Sequence, residues 1–209
     1  MPDLAHTLRT PALMLCCVTS LLHGCAGIII GGAATSALIA HDRRTTGTII
    51  DDQAMALEGE HRVNSDPRMA AGHINVSAYN GQVLLTGEVP LAPMRQQAEA
   101  IVRSDPRVRQ VFNELAIAAP SSFLARSNDV LLAGHVKAGL FDVKIDGFDP
   151  TRVKIITERG IVYLMGLVTP EEGEAATEVV RRVGGVQKVV RLFEYVEIEQ
   201  RRQGAANAR

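Results

Sequence analysis

The sequence predicts an α+β fold built from two tandem copies of one small domain. INVSAYNGQVLLTGEV at 74–89 is similar to VKIITERGIVYLMGLV at 153–168, and VRQVFNEL at 108–115 is similar to VQKVVRLF at 186–193. Solenoid repeats have periods of about 20–50 residues, so a longer period indicates a duplicated domain. We expect each copy to run αββαβ, with a three-stranded mixed sheet and two helices on one face.

The first three elements of each copy follow from local patterns. A helix is predicted over Asp52 to Val63 in the first copy and over Asn128 to Leu140 in the second. A β-hairpin then follows in each copy. Asn80-Gly81 is a strong signal for the first hairpin, because both residue types tolerate positive φ. The Asp51-Asp52 pair is expected to cap the first helix.

A second helix and a last strand complete each copy. Apolar residues recur at helical spacing in both predicted helices: Met94, Ala98, Ile101 and Val102, then Ala176, Val179, Val180 and Val183. Thr169-Pro170-Glu171-Glu172 is typical of a capping box with proline at the first helical position. The last strands are predicted around 111–117 and 189–198.

Composition excludes several classes of function. The formal net charge is -1, so the chain lacks the basic character of a nucleic-acid binder. Tryptophan, an aromatic residue suited to base stacking, is also absent. All three cysteines, Cys16, Cys17 and Cys25, lie near the start. A disulfide framework and thiolate metal sites are therefore excluded from the rest of the chain.

Sequence motifs predict neither an enzyme nor a metal protein. No nucleophile-elbow motif is present. The histidines beyond Cys25 have no pair at a spacing of three or four, so no helical metal pair exists: they are His41, His61, His73 and His135. We expect no catalytic residues, no metal and no cofactor, and we interpret His135 as a surface residue.

The N-terminal region predicts a lipid anchor. No Asp, Glu, Lys or Arg occurs from 10 to 40. The apolar part, 11–22, fits a signal peptide better than a membrane span, which needs about 20 apolar residues. Leu22-His23-Gly24-Cys25 resembles a bacterial lipobox, which implies cleavage before Cys25 and acylation of that residue. The alternative is an uncleaved signal-anchor helix over 11–40.

The repeat itself resembles the BON domain. The likeness is carried by the hairpin glycines, by Gly87-Glu88-Val89 and Gly166-Leu167-Val168, and by a V-x-x-V pattern before each last strand. Two copies behind a lipobox resemble the dual-BON outer-membrane lipoproteins. We therefore expect the following division: a signal peptide at 1–24, a lipidated tether at 25–50, BON domains at 51–119 and 120–199, and a disordered tail at 200–209.

This resemblance implies a function at a membrane. Ala26, rather than Asp, after the cysteine implies export to the outer membrane, with the protein lipid-anchored and facing the periplasm. The family resemblance further implies binding of anionic phospholipid through the first helix of the second BON domain, in support of outer-membrane integrity. A protein-interaction adaptor that uses the same helix face for an envelope protein is the alternative, and no nucleic-acid partner is expected.

A helical wheel divides that helix into two faces. At 100° per residue, Leu132, Val136, Gly139 and Leu140 form the expected core face. The opposite side carries the candidate lipid-binding residues Val130, Gly134, Lys137 and Phe141. An apolar face with one lysine suits shallow insertion between headgroups, with Lys137 meeting phosphate. The alternative is that Val130 and Phe141 pack against the first domain.

Overall fold

Two α/β domains of the same topology follow one another in the computed structural model, which describes residues 42–197. The first domain comprises α1 (Thr46–Asn64), β1 (His73–Tyr79), β2 (Gln82–Val89), α2 (Ala92–Arg103), β3 (Gln110–Asn113) and β4 (Ala116–Ile117). The second comprises α3 (Phe123–Gly139), β5 (Val153–Glu158), β6 (Ile161–Val168), α4 (Pro170–Arg181) and β7 (Lys188–Tyr195). Short 3₁₀ turns occupy Pro67–Met69, Leu140–Asp142 and Pro150–Arg152.

Each sheet is mixed, as predicted. The hairpins β1–β2 and β5–β6 are antiparallel, and the last strand of each domain pairs in parallel with the hairpin's second strand. In the first domain that last strand is interrupted, so β3 and β4 pair separately with β2. The interruption places Leu115 in the core, where it is buried. The single strand predicted over 111–117 is therefore two short strands.

Two helices begin earlier than the sequence predicted. Thr45 caps α1, because its side chain accepts a hydrogen bond from the backbone N–H of Thr48. The helix therefore starts within the segment 25–50 that was expected to be a tether. Ser122 caps α3 in the same way through the N–H of Ala125. The capping box of α4 at Thr169 and Glu172 is present as predicted.

Each domain buries its own core between its two helices and one face of its sheet. In the second domain the predicted core face of α3 is confirmed, since Leu132, Val136 and Leu140 are buried against α4 and the sheet. Gly139 lies close to α4, because a Cβ built there would be 3.7 Å from Val179. The first domain repeats this arrangement with Met55, Val63, Ala98 and Val102.

The two domains pack against each other through their sheets. Each sheet uses the face that its own helices leave uncovered. A third apolar cluster joins Tyr79 and Leu84 of the first domain to Tyr163, Met165 and Leu192 of the second. Every residue of β2 is buried, because the helices cover one face and the second sheet covers the other. Burying a side chain such as Leu84 or Met165 contributes about 1.5–3 kcal/mol, which stabilises the pairing of the domains.

Candidate functional site

α3 and the 3₁₀ turn Leu140–Asp142 that follows it expose a long apolar face, called the exposed face of α3, and this face is the candidate functional site. Val130 is 73% exposed and Phe141 is 64% exposed. Gly134 lies between them along the helix, with no atom within 4 Å of where a Cβ would stand. The alternative that Val130 and Phe141 pack against the first domain is wrong, because both side chains face outward.

Three further apolar side chains extend this face. Phe123, Leu124 and Leu131 are 80%, 69% and 63% exposed. At 100° per residue Phe123 lies in line with Val130, Gly134 and Phe141, while the two leucines lie on one flank. The sequence prediction missed Phe123 and Leu124 because it started the helix at Asn128, and it did not assign Leu131, inside the predicted helix, to this face. The signal that locates the first two is the pair Ser121-Ser122 directly before an apolar dipeptide, since serine is a strong N-cap residue.

Lys137 lies on the other flank of this face and is turned toward the 3₁₀ turn at Pro150–Arg152. Its Nζ donates a hydrogen bond to the carbonyl oxygen of Pro150 at 2.8 Å. The side chain is half-buried, and this burial lowers the pKa of Lys137, although the charge of Asp149 opposes that shift. The ammonium group is therefore held by the protein itself, rather than projecting with the apolar residues.

A cationic groove runs along this flank of α3. It has a volume of about 430 Å³ and includes Lys137, Lys154 and Arg44 in its lining. Lys154 donates to the carbonyl oxygen of Ala78 at 3.0 Å, and burial and the positive charge of Arg44 lower its pKa. Arg44 binds Asp42 and Asp52, each at 2.7 Å. The groove therefore combines three cations with apolar walls directly beside the exposed face.

A second groove follows the opposite flank. Its volume is about 640 Å³, and its lining includes Leu131 and His135 of α3 with Arg159 and Gly185. His135 is exposed, in agreement with its interpretation as a surface residue. The two grooves therefore lie on either side of α3, and the exposed apolar residues of the helix lie between them.

A buried carboxylate fixes α3 to the hairpin beneath it. Asp129 accepts hydrogen bonds from the backbone N–H groups of Arg159 and Gly160, both at 2.8 Å. Both turn residues have positive φ, which leaves their N–H groups pointing at the helix. Asn128, where the sequence predicted the start of this helix, lies inside α3 together with Asp129.

The first domain contains the same arrangement. Asp52 accepts from the backbone N–H of Asn80 at 2.6 Å and of Gly81 at 2.8 Å. The predicted capping role of Asp51 and Asp52 is therefore wrong, because α1 begins six residues before Asp52, at Thr46. The carboxylate binds a turn distant in the sequence, which no local pattern of charges indicates.

The predicted lipid anchor lies outside the described residues 42–197, together with the signal peptide at 1–24, most of the tether and the tail at 200–209. Within the described range, no helix combines the length and the apolar character needed to cross a membrane.

Comparison with known proteins identifies the fold and the family. The model of the BON domain matches residues 51–119 and 128–197. The chain is 39% identical over 181 residues to the outer membrane lipoprotein DolP of Haemophilus influenzae, covering 86% of this chain and 92% of that protein. It is 32% identical over 160 residues to a 21 kDa hemolysin of Actinobacillus pleuropneumoniae, covering 75% of this chain and 80% of that protein.

A solved structure of CdsD, a structural protein of the type III secretion system of Chlamydia trachomatis, matches at 12% identity. That match covers 76% of this chain and 97% of the other, with a TM-score of only 0.29. The family model and the sequence relatives are far more specific. On their evidence, the chain belongs to the BON-domain family, as a dual-BON protein of the same group as DolP.

Proposed function

We propose that this protein is an outer-membrane lipoprotein whose second BON domain binds anionic phospholipid through the exposed face of α3. The single observation that carries this proposal is that five large apolar side chains of one helix region are each at least 63% exposed. Contiguous exposed apolar surface marks membrane or protein interaction sites in soluble domains. In this role the protein supports the integrity of the outer membrane, without catalysis and without a cofactor.

The anchor of the proposed lipoprotein is Cys25. The lipobox-like sequence before it supports cleavage and acylation there, and the similarity to a protein named as an outer membrane lipoprotein supports the location. Two or more acyl chains give stable attachment, whereas one chain alone is marginal. The domains then face the periplasm and sample the membrane surface at a high effective concentration.

The exposed face of α3 supplies the apolar part of lipid contact. A helix of this kind lies in the plane of the interface, with its apolar side chains among the upper acyl chains. Phe123, Val130 and Phe141 lie in one line along this face, so their side chains enter the bilayer first. Burial of apolar surface contributes roughly 25 cal/mol per Å², so a few inserted side chains suffice for reversible binding.

The cationic groove supplies the preference for anionic lipid. Lys137 and Lys154 lie beside the apolar face and already bind carbonyl oxygens. A phosphate group that enters the groove replaces the neutral carbonyl acceptor of a lysine with an anionic one, so that the ammonium group then pairs with an opposite charge. Basic residues near a membrane surface contribute about 1 kcal/mol each toward anionic lipid.

Vesicle flotation tests this proposal. The purified protein is mixed with phosphatidylglycerol vesicles or with phosphatidylcholine vesicles, and the Val130→Asp variant is compared with Leu57→Asp. Leu57 is the matched control, because it is an exposed leucine (59%) on the first helix of the first domain. We expect Val130→Asp to weaken binding to anionic vesicles about tenfold or more, and Leu57→Asp to leave it unchanged.

A protein-interaction adaptor is the second candidate, because the same exposed apolar face suits a partner helix or groove. Vesicle binding that is absent, or that both substitutions affect equally, would reject lipid recognition by α3. Crosslinking in cell envelopes from a photoreactive group at position 130 then identifies whether an envelope protein occupies that face.

A further inference from the structure

Two buried glutamates from different domains face one histidine at the edge of the interface between the sheets. Glu88 lies on β2 and is 1% exposed, and Glu158 lies at the end of β5 and is 6% exposed. His73, the first residue of β1, pairs with Glu88 in the antiparallel register. One ligand atom from each of the three side chains lies within 4.8 Å of the other two.

Two atoms of this cluster are buried without a hydrogen-bond partner among the described residues: Nδ1 of His73 and Oε1 of Glu88. His73 Nδ1 is 3.5 Å from Glu88 Oε2, too long for a strong hydrogen bond. A buried polar atom without a partner carries the full cost of its desolvation, and this cost is greatest for a charged group. A cation placed between these two atoms would give both of them a partner.

Neighbouring groups position the two carboxylates. The side-chain amide of Asn75 donates to Glu158 Oε2 at 2.9 Å. The backbone N–H of Ser121 donates to Glu88 Oε2 at 3.1 Å. Each carboxylate thus has one oxygen oriented by a donor and another oxygen that these donors leave unused. Metal-binding carboxylates are oriented by donors of this kind.

The surrounding charges leave the cluster net negative. Arg159 is the nearest guanidinium, with its Nε 4.0 Å from Glu88 Oε1, and its side chain is 45% exposed. Asp129 adds a third carboxylate, whose oxygens bind the hairpin N–H groups. The two glutamates are buried, so the excess of negative charge lies in a poorly solvated place.

We propose that His73, Glu88 and Glu158 form a binding site for a divalent transition metal of the Zn²⁺ type, which joins the two BON domains. One imidazole nitrogen with carboxylate oxygens is a donor set that zinc accepts. Bonds of about 2.0–2.2 Å require the ligand atoms to draw together by on the order of 1 Å. His73 is 27% exposed, so the metal enters from its side and a water completes the coordination.

The donor set also determines which metals bind. Ca²⁺ takes about six to eight oxygen ligands, which three side chains with one nitrogen do not provide. Because β1 and β2 belong to one domain and β5 to the other, the bound metal crosslinks the domains. A ligand that binds only the folded protein stabilises it by mass action, so bound zinc raises the temperature of unfolding.

The test uses the full chain, freed of metal by dialysis against a chelator. Calorimetric titration with ZnCl₂ measures stoichiometry and affinity, and CaCl₂ serves as the comparison metal. The variants are Glu88→Gln, Glu158→Gln and His73→Asn, with Glu60→Gln as the matched control, because Glu60 is an exposed glutamate of α1. Thermal unfolding is recorded for each protein with and without zinc.

We expect one zinc per chain in the wild type and in Glu60→Gln, with affinity reduced about 100-fold or more in the three site variants, which lose a direct ligand. Glu88→Gln removes a buried charge with little change of shape, so its metal-free unfolding temperature equals or exceeds that of the wild type. His73→Asn is the second variant at a partly exposed position, should Glu88→Gln fail to fold. Zinc binding that is absent in the wild type, or retained in all three site variants, would overturn the proposal.

Discussion

Arg43 and Glu172 form a two-bond ion pair that ties the segment before α1 to the start of α4. The guanidinium donates to both carboxylate oxygens, at 2.6 and 2.9 Å, and also to the carbonyl oxygen of Leu167. The next residue, Arg44, binds the first domain through Asp52 and lies 3.8 Å above the ring of Tyr79. Through these two consecutive arginines, the segment before α1 is bound to both domains.

Removal of Arg43 is expected to be costly. Arg43→Ala removes the cation that donates to both carboxylate oxygens of Glu172, a side chain only 4% exposed, and leaves the more distant Arg152, whose Nη1 is 3.7 Å from Glu172 Oε1. Leaving a buried charge uncompensated costs about 3–5 kcal/mol and an exposed pair contributes about 0.2–1 kcal/mol, so with Arg152 still present we expect a loss between these two ranges. Arg103→Ala, which breaks the exposed pair with Glu99, is the control. Urea denaturation that gives equal losses for both variants would contradict this expectation.

The same pair predicts how stability depends on pH. Burial opposes the ionisation of Glu172, but hydrogen bonds from Arg43 and Thr169 outweigh it and lower the pKa of Glu172. A carboxylate with a lowered pKa in the folded state stabilises the fold above the unfolded value, about 4.3. That contribution is lost as the pH falls through the folded-state pKa.

Glu172→Gln removes this dependence. We expect the difference in the free energy of unfolding between wild type and Glu172→Gln to be greatest near pH 7 and to shrink as the pH falls below about 4.3. Denaturant curves at a series of pH values measure the difference. A gap that stays constant from pH 7 to pH 3 would show that Glu172 does not act through its charge.

Asp129→Asn is expected to destabilise the second domain. An asparagine side chain has one oxygen acceptor in place of two, so it cannot accept from both Arg159 N and Gly160 N in the present geometry. An unsatisfied buried N–H costs about 1–3 kcal/mol. Asp146→Asn, at an exposed position, is the control and is expected to change stability by no more than about 0.5 kcal/mol. Amide hydrogen exchange at the β5–β6 hairpin should increase only in Asp129→Asn.

Gly134→Ala is expected to stabilise the protein without weakening vesicle binding. A Cβ at position 134 meets no atom within 4 Å, and alanine is favoured over glycine within a helix by about 0.8–1 kcal/mol. The substitution also adds a methyl group to the apolar face. Gly87→Ala is the contrasting variant, because a Cβ there would lie 2.0 Å from the carbonyl oxygen of His73.

Thermal unfolding and flotation together check this prediction. Gly134→Ala should unfold at a higher temperature and float with anionic vesicles at least as well as the wild type. Gly87→Ala should be strongly destabilised, because φ of Gly87 is 113° and its strand partner leaves no room. Reduced flotation of a stabilised Gly134→Ala would argue against contact between this face and the bilayer.

The exposed face of α3 was found only in part from the sequence. The helical wheel separated Leu132 and Val136 from Val130 and Phe141 correctly, because side chains three or four residues apart share one side of a helix. The length of the face was missed, since the cap at Ser122 was not recognised. The orientation of Lys137 depends on Pro150, which the hairpin topology brings back to α3.

Features that depend on neighbouring residues along the chain can be predicted from the amino-acid sequence. The duplication, the hairpins, the α4 capping box and the core face of α3 all follow from local spacing and turn chemistry. The contacts between buried charged groups, in contrast, are known from the folded structure alone. Asp52 and Asp129 bind hairpin turns that follow later in the chain, and His73, Glu88 and Glu158 converge from three strands in two domains. Contacts of this kind leave no periodic trace in the sequence, because they depend on how sheets and helices pack rather than on local geometry.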